Sequence, residues 1–195
     1  MTVIAAFDFD GTITTRDSFV PFLFRAFGRA RTCRALLRLL PMALGVLAGS
    51  ANRDAFKARL VRVLFAGASR QRLEELGIRH AEEILGWVRP AARERIEWHR
   101  TQGHRLIMVS ASLELYLKPV AKRLGFHDLL CTTLVAQGDV LTGAIDGKNC
   151  RGAEKTARLA ALLGDLAPLE LYAYGDSSGD RELLTIAQHP HYRVF

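Results

Sequence analysis

A largely apolar run from Thr2 to Phe7 stops at Asp8 and Asp10. A short apolar run without alternation predicts a strand buried on both faces, with its carboxyl end delivering the two carboxylates. In open α/β sheets that edge is where ligands bind. From about Asp17 to Gly86 the apolar positions recur at helical spacing. Helices are predicted over 18–27, 31–48, 53–65 and 70–85, punctuated at Gly28, Gly49-Ser50 and Gly67. Beyond Pro90, helix and strand alternate: helix 91–102 stopped by Gly103, strand 104–109, then helix 113–124 ended by Gly125 and kinked at Pro119. Two strands follow within 129–145, joined at Gln137-Gly138-Asp139, then helix 152–163, strand 169–174, helix 182–187 and a last strand at 192–195. This order predicts an α/β fold: a Rossmann-like, three-layer core with a mainly parallel sheet, built from 1–16 and 88–195, interrupted by a helical insertion over 17–87.

Composition adds that the chain is an ordinary soluble globular protein, with 49% hydrophobic and 24% charged residues. Three widely spaced cysteines, Cys33, Cys131 and Cys150, argue against a disulfide framework and a CxxC metal site. Met1 to Phe7 carries no basic leader, and the apolar stretch 35–48 is broken by Arg38 and Pro41, so a cytoplasmic protein without a spanning helix is expected. The net charge of +7 is uneven. Residues 11–100 hold 17 Lys or Arg against 8 Asp or Glu, which places the basic bias in the insertion and favours anionic partners.

Three polar clusters follow three predicted strands: Asp8-Phe9-Asp10-Gly11-Thr12, Ser110-Ala111-Ser112 and Gly175-Asp176-Ser177-Ser178-Gly179-Asp180. In a parallel sheet all three reach one edge, and Lys155 at the start of a helix joins them. Carboxylate oxygens with few histidines nearby suit Mg²⁺ better than zinc. A carboxylate such as Asp8 can act as a covalent nucleophile toward phosphorus. A cation and Lys155 would offset its repulsion from an anionic phosphate. Backbone N–H groups at Gly11, Thr12 and Ala111 are candidate phosphate donors. Asp10 is placed to protonate a leaving alkoxide and to activate water.

Taken in order, these clusters resemble the four motifs of the haloacid dehalogenase superfamily, and specifically its phosphoserine-phosphatase-like branch, subfamily IB. Asp8 to Thr14 is similar to the first motif, Ser110 to the second, Lys155 to the third, and Asp176 with Asp180 to the fourth. The resemblance implies that residues 17–87 form a helical, C1-type cap. It also implies that Asp8 is nucleophile and metal ligand and that Asp10 is the acid and base, with a backbone carbonyl on Mg²⁺. Ser110 and Lys155 would hold phosphate, Asp176 would bind the metal, and Asp180 would support that site. The dehalogenating members lack an acid at the position of Asp10, so carbon–halogen cleavage is not expected. Phosphoserine phosphatases carry Ser where Gly11 stands and Glu where Asp17 stands, which leaves the phosphatase expectation intact and weakens the case for L-phosphoserine as substrate.

The expected activity is therefore Mg²⁺-dependent hydrolysis of small organic phosphomonoesters through an aspartyl-phosphate. Amino-acid phosphates (phosphoserine, histidinol phosphate) and lipid phosphates are alternatives, and a non-catalytic module that binds an anion, a membrane or nucleic acid on the same scaffold is an alternative of another class. Nucleic acid is not the expected partner. Asp17 either caps the following helix or touches substrate. Arg31, Arg34 and Arg38 share a helix face opposite Leu36, Leu37 and Leu40, a basic amphipathic pattern that meets solvent, touches a membrane surface or binds an anionic substrate. Trp87 and Trp98 read as packing residues, His189 and His191 as surface histidines, and Cys131 and Cys150 as buried thiols.

Overall fold

The apolar run at the amino end forms β1 (Val3–Phe7), and Ile4, Ala5, Ala6 and Phe7 have no exposed surface. The computed structural model describes residues 2–50 and 52–195. Met1 and Ala51, which fall in the expected core and insertion segments, lie outside it. After β1 come four helices: α1 (Phe19–Arg38), α2 (Leu40–Leu47), α3 (Arg53–Phe65) and α4 (Arg70–Leu85). Then follow α5 (Pro90–Thr101), β2 (Arg105–Leu113), α6 (Glu114–Arg123), β3 (Asp128–Thr132), β4 (Leu134–Gln137) and β5 (Val140–Ile145). The chain continues through α7 (Ala153–Leu163), β6 (Glu170–Gly175), α8 (Arg181–Ile186) and β7 (His189–Tyr192).

Five strands make one parallel sheet in the order β3-β2-β1-β6-β7. Alternate residues along it feed two separate cores. Ala5, Phe7, Leu106 and Met108 pack with residues of α5, α6 and the helices after β1, whereas Ile4, Ala6, Ile107 and Val109 pack with Leu159 of α7 and Leu183 of α8. Both faces are covered, which is why the strands read as continuous apolar runs. The chain leaves β1 toward β2 and β3, and later fills the other side with β6 and β7. The carboxyl ends of β1, β2 and β6 therefore flank the point where strand order reverses.

Gly28 interrupts the first helix as expected: its φ of +74° and ψ of 165° are non-helical, and α1 is two helical pieces that meet there at a kink. Several other sequence expectations are corrected. The expected helix 31–48 is instead divided at Leu39–Leu40, because Pro41 supplies no N–H and suits a first helical turn. Residues 129–145 contain parts of three strands. β3 joins the parallel sheet, and β4 and β5 form a separate antiparallel hairpin. That hairpin packs on α3 and is tied to the loop before α4 by the Leu141 amide donating to Ala68 O at 2.9 Å. The last strand is His189–Tyr192 rather than 192–195. His189 and His191 lie on the edge strand β7, partly exposed, and its parallel register stacks His189 on Tyr172 (centroids 4.1 Å apart) and His191 on Tyr174 (4.6 Å). Among the described residues no helix is long and apolar enough to cross a membrane.

Candidate active site

The register of β1 and β6 sets Asp8 just past the sheet, where its amide donates to Tyr174 O at 2.9 Å. Its carboxylate is held from two sides. Lys155 Nζ donates to Oδ1 at 2.5 Å, and Thr12 Oγ1 donates to Oδ2 at 2.9 Å. Lys155, buried in the first turn of α7, also donates to Asp180 Oδ1 at 2.6 Å. Burial works against its charge, but Asp8 and Asp180 outweigh it and hold the ammonium above its ordinary range. Burial likewise works against ionised Asp180, and Lys155 overcomes it to pull that carboxyl down. Asp180 is fixed further by accepting from the Ser177 amide at 3.0 Å and Ser177 Oγ at 2.8 Å, a reciprocal cap on the turn after β6.

Carboxylate oxygens of Asp8, Asp176 and Asp180 lie within 4.8 Å of one another. Thr12 Oγ1 bridges two of them, reaching Asp176 Oδ1 at 3.3 Å. Burial raises Asp8 to about 6, with Lys155 opposing and Asp180 adding to the rise. Burial and the charge of Asp180 raise Asp176 as well. Hard oxygen donors carrying this much uncompensated negative charge fit a divalent cation such as Mg²⁺. Gly11 is required beside them. At φ +84°, a Cβ on it would stand 2.5 Å from Asp176 Oδ2.

The Asp10 side chain points away from this group. Its Oδ1 accepts from the Ser18 amide at 2.8 Å and its Oδ2 from Ser112 Oγ, a bond that ties β1 to the end of β2. Burial and the charge of Asp17 raise it to about 7, with the Ser112 and Ser18 bonds opposing, so at neutral pH it can both give and take a proton. Ser110 is buried at the end of β2 and accepts from the Ser112 amide at 3.0 Å. Asp17 accepts from the Phe19 and Val20 amides at 3.0 and 3.1 Å, capping α1, and also faces the cavity. All the sequence-derived positions therefore meet at one edge, with Asp180 inside the carboxylate group and the Asp10 side chain outside it.

A cavity of about 400 Å³ opens over Asp8, Asp10, Ser110, Ala111 and Lys155. Its far wall is apolar: Phe19, Val20, Leu36, Val46, Phe56 and Leu60 from α1, α2 and α3. Sequence reasoning missed Lys57 in this wall. Its Nζ donates to Ala111 O and, at 2.9 Å, to Asn149 Oδ1. Burial lowers it to about 8, against the pull of Asp10, Asp17 and Asp54. Asn149, also missed, is held in place by Thr132 Oγ1 at 2.8 Å and Asp54 Oδ1 at 2.7 Å. No local motif marks either residue, since the contacts join segments far apart in the chain.

A model of the haloacid dehalogenase-like hydrolases matches residues 5–185. The chain belongs to this family. It is 38% identical to Protein CicA of Caulobacter vibrioides over 195 residues, covering 99% of this chain and 86% of that protein. A protein of unknown function from Bordetella pertussis Tohama I has the same fold, with a TM-score of 0.81 at 22% identity over 95% of this chain and 87% of that one. A substrate-bound phosphoserine phosphatase structure also superposes, with a TM-score of 0.65 at 16% identity, covering 96% of this chain and 83% of that one. The haloacid dehalogenase-like fold, phosphoserine-phosphatase-like in form, is thus that of the whole chain.

Proposed function

We propose that this protein is a Mg²⁺-dependent phosphatase of small organic phosphomonoesters that works through phosphorylated Asp8. The observation that carries this reading is the Asp8 carboxylate, gripped by Lys155 and Thr12 at the floor of the cavity, with a second carboxyl two residues on whose pKa lies near neutrality. Asp8 and Asp176, with the Asp10 backbone carbonyl, would hold Mg²⁺. The ion would neutralise charge on the phosphoryl oxygens.

The remaining chemistry belongs to the chain. An Asp8 oxygen forms a bond to phosphorus as the ester P–O bond breaks, and Asp10 gives its proton to the departing alkoxide. Asp10, now a carboxylate, takes a proton from water as that water attacks phosphorus. The P–O bond to Asp8 breaks, which frees inorganic phosphate and restores both aspartates. Lys155 and the N–H groups of Thr12 and Ala111 would hold the transferring group, and the Gly11 N–H, which donates to Thr14 Oγ1 at 3.4 Å, would have to turn from it to join them, while Asp180 keeps Lys155 in place. In this reading residues 17–87 act as a cap on a core of 1–16 and 88–195, and their apolar wall excludes water while Asp8 carries phosphate.

The test is turnover of p-nitrophenyl phosphate and a panel of phosphomonoesters with Mg²⁺. Asp8→Asn and EDTA should each abolish it, and Asp10→Asn should slow it by on the order of 10²–10⁴. Turnover that survives Asp8→Asn would refute the nucleophile assignment. A folded protein inactive across the panel would refute the phosphatase reading.

A further inference from the structure

α2 is eight residues, Leu-Pro-Met-Ala-Leu-Gly-Val-Leu, without a polar side chain, and none of them is buried. Leu37, at the end of α1, and Leu40, Leu44 and Leu47 are 67%, 46%, 55% and 80% exposed. Leu40, Leu44 and Leu47, spaced four and three residues apart, form one stripe along α2, and Leu37 stands in the last turn of α1 just before the break at Leu39. Single exposed leucines are ordinary, but four along one short segment mark a surface that something covers.

Charge identifies what covers it. From Ser18 to Arg53 there is no Asp or Glu, and there are six arginines. Arg29, Arg31, Arg34, Arg38 and Arg53 are exposed, and Arg34 and Arg38 stand one helical turn or less from Leu37. A second copy docked on this stripe would bring two such sets of arginines together. An anionic surface would instead accept both the arginines and the leucines, the first at headgroup level and the second at the acyl boundary. α2 spans about 12 Å, far less than the roughly 30 Å hydrocarbon core, so it can lie in that boundary but not cross it. The same segment also lines the candidate active site, since Leu36 and Val46 belong to the apolar wall of the cavity.

We propose that the Leu37–Leu47 segment seats the protein on an anionic phospholipid bilayer and presents the cavity to the phosphomonoester headgroup of an amphiphile in that bilayer. The docking stands on the surface itself, and the substrate class rests on the phosphatase reading above. Flotation with phosphatidylcholine vesicles, with and without phosphatidylglycerol, tests the first part. Turnover of a diacylglycerol phosphomonoester in such vesicles, beside soluble p-nitrophenyl phosphate, tests the second.

Binding should require the anionic lipid and weaken with salt. Leu44→Glu with Leu47→Glu should reduce it roughly a hundredfold, about tenfold per leucine withdrawn from the interface. Arg34→Glu with Arg38→Glu should reduce it by at least roughly thirtyfold, from about 1 kcal/mol per arginine. Both variants should keep soluble turnover and lose turnover on vesicles. Unaltered vesicle binding in both variants, or none by the wild type, overturns the docking. So does a dimer in sedimentation velocity that the leucine substitutions dissociate. Vesicle binding without turnover of either substrate supports the docking and overturns the phosphatase reading alone.

Discussion

Gly77 sits in the middle of α4, where glycine costs a helix about 1 kcal/mol relative to alanine. Gly77→Ala should nevertheless destabilise the protein. A Cβ built there lies 2.1 Å from Leu115 O and 2.8 Å from Leu115 C, both backbone atoms of α6. Ordinary contact begins at 3.4 Å, so α4 and α6 would have to part by about 1.3 Å. The Leu115 carbonyl is open to this approach because the residue four positions on is Pro119, which has no N–H to offer it. Overpacking typically costs about 1–3 kcal/mol, and a clash with backbone belongs at the upper end or beyond it. After the gain in helix propensity, a net loss of about 2 kcal/mol is expected. That should lower the urea midpoint by roughly 1 M at a slope of about 2 kcal/mol/M. The neighbouring Ile78 is 52% exposed, and Ile78→Ala should change stability by only about 0.5 kcal/mol. α6 begins directly after β2, so its displacement also pulls on Ser112 and the Asp10 carboxylate it holds. A Gly77→Ala protein as stable as wild type, or more so, would show that helix propensity outweighs the interhelical contact and that the packing argument is wrong.

Mg²⁺ at about 100 times its dissociation constant should stabilise the protein by about 2.7 kcal/mol in thermal unfolding, and Asp176→Asn should remove that increment. An equal shift in the variant would place the ion elsewhere. His99 is buried, and burial, reinforced by the charges of His104, Arg95 and His191, lowers it to about 3. Its folded pKa lies below the unfolded value of about 6.5, so as pH falls through that window the unfolded chain takes up a proton the folded one refuses, and stability is lost. Urea unfolding should show about 2 kcal/mol of this loss between pH 7 and 5, and His99→Phe should flatten that part of the profile; an unchanged slope would remove His99 as its source.

The acidic clusters were legible because each is local, a few residues directly after an apolar run, and a parallel sheet carries such run-ends to one edge whatever lies between them. Asp8, Ser110 and Asp176 need only the strand order to meet. The strands of 129–145 were harder to read. Leu129 and Leu134 look alike in a sequence, and only pairing with Val109 and its neighbours recruits the first strand to the sheet while the second turns back on itself. Gly77 was invisible for a similar reason: a glycine inside a helical pattern does not announce which carbonyl will stand against it.

Lys57 shows why the choice of substrate is less legible than the chemistry beside it. Nothing in Phe56-Lys57-Ala58 distinguishes it from the other basic residues of the insertion. Its place over the site comes from Ala111, 54 residues on, and Asn149, 92 residues on, themselves fixed by β2 and by Thr132. Chemistry common to a family can be carried by short motifs on strand ends, since the sheet does the assembling. The apolar wall of the cavity is assembled by helix packing, in which each residue's neighbours depend on every crossing angle before it. The same packing turns Leu36 and Val46 into the cavity while leaving Leu37 and Leu47 outside, so one segment both bounds the cavity and exposes an apolar surface.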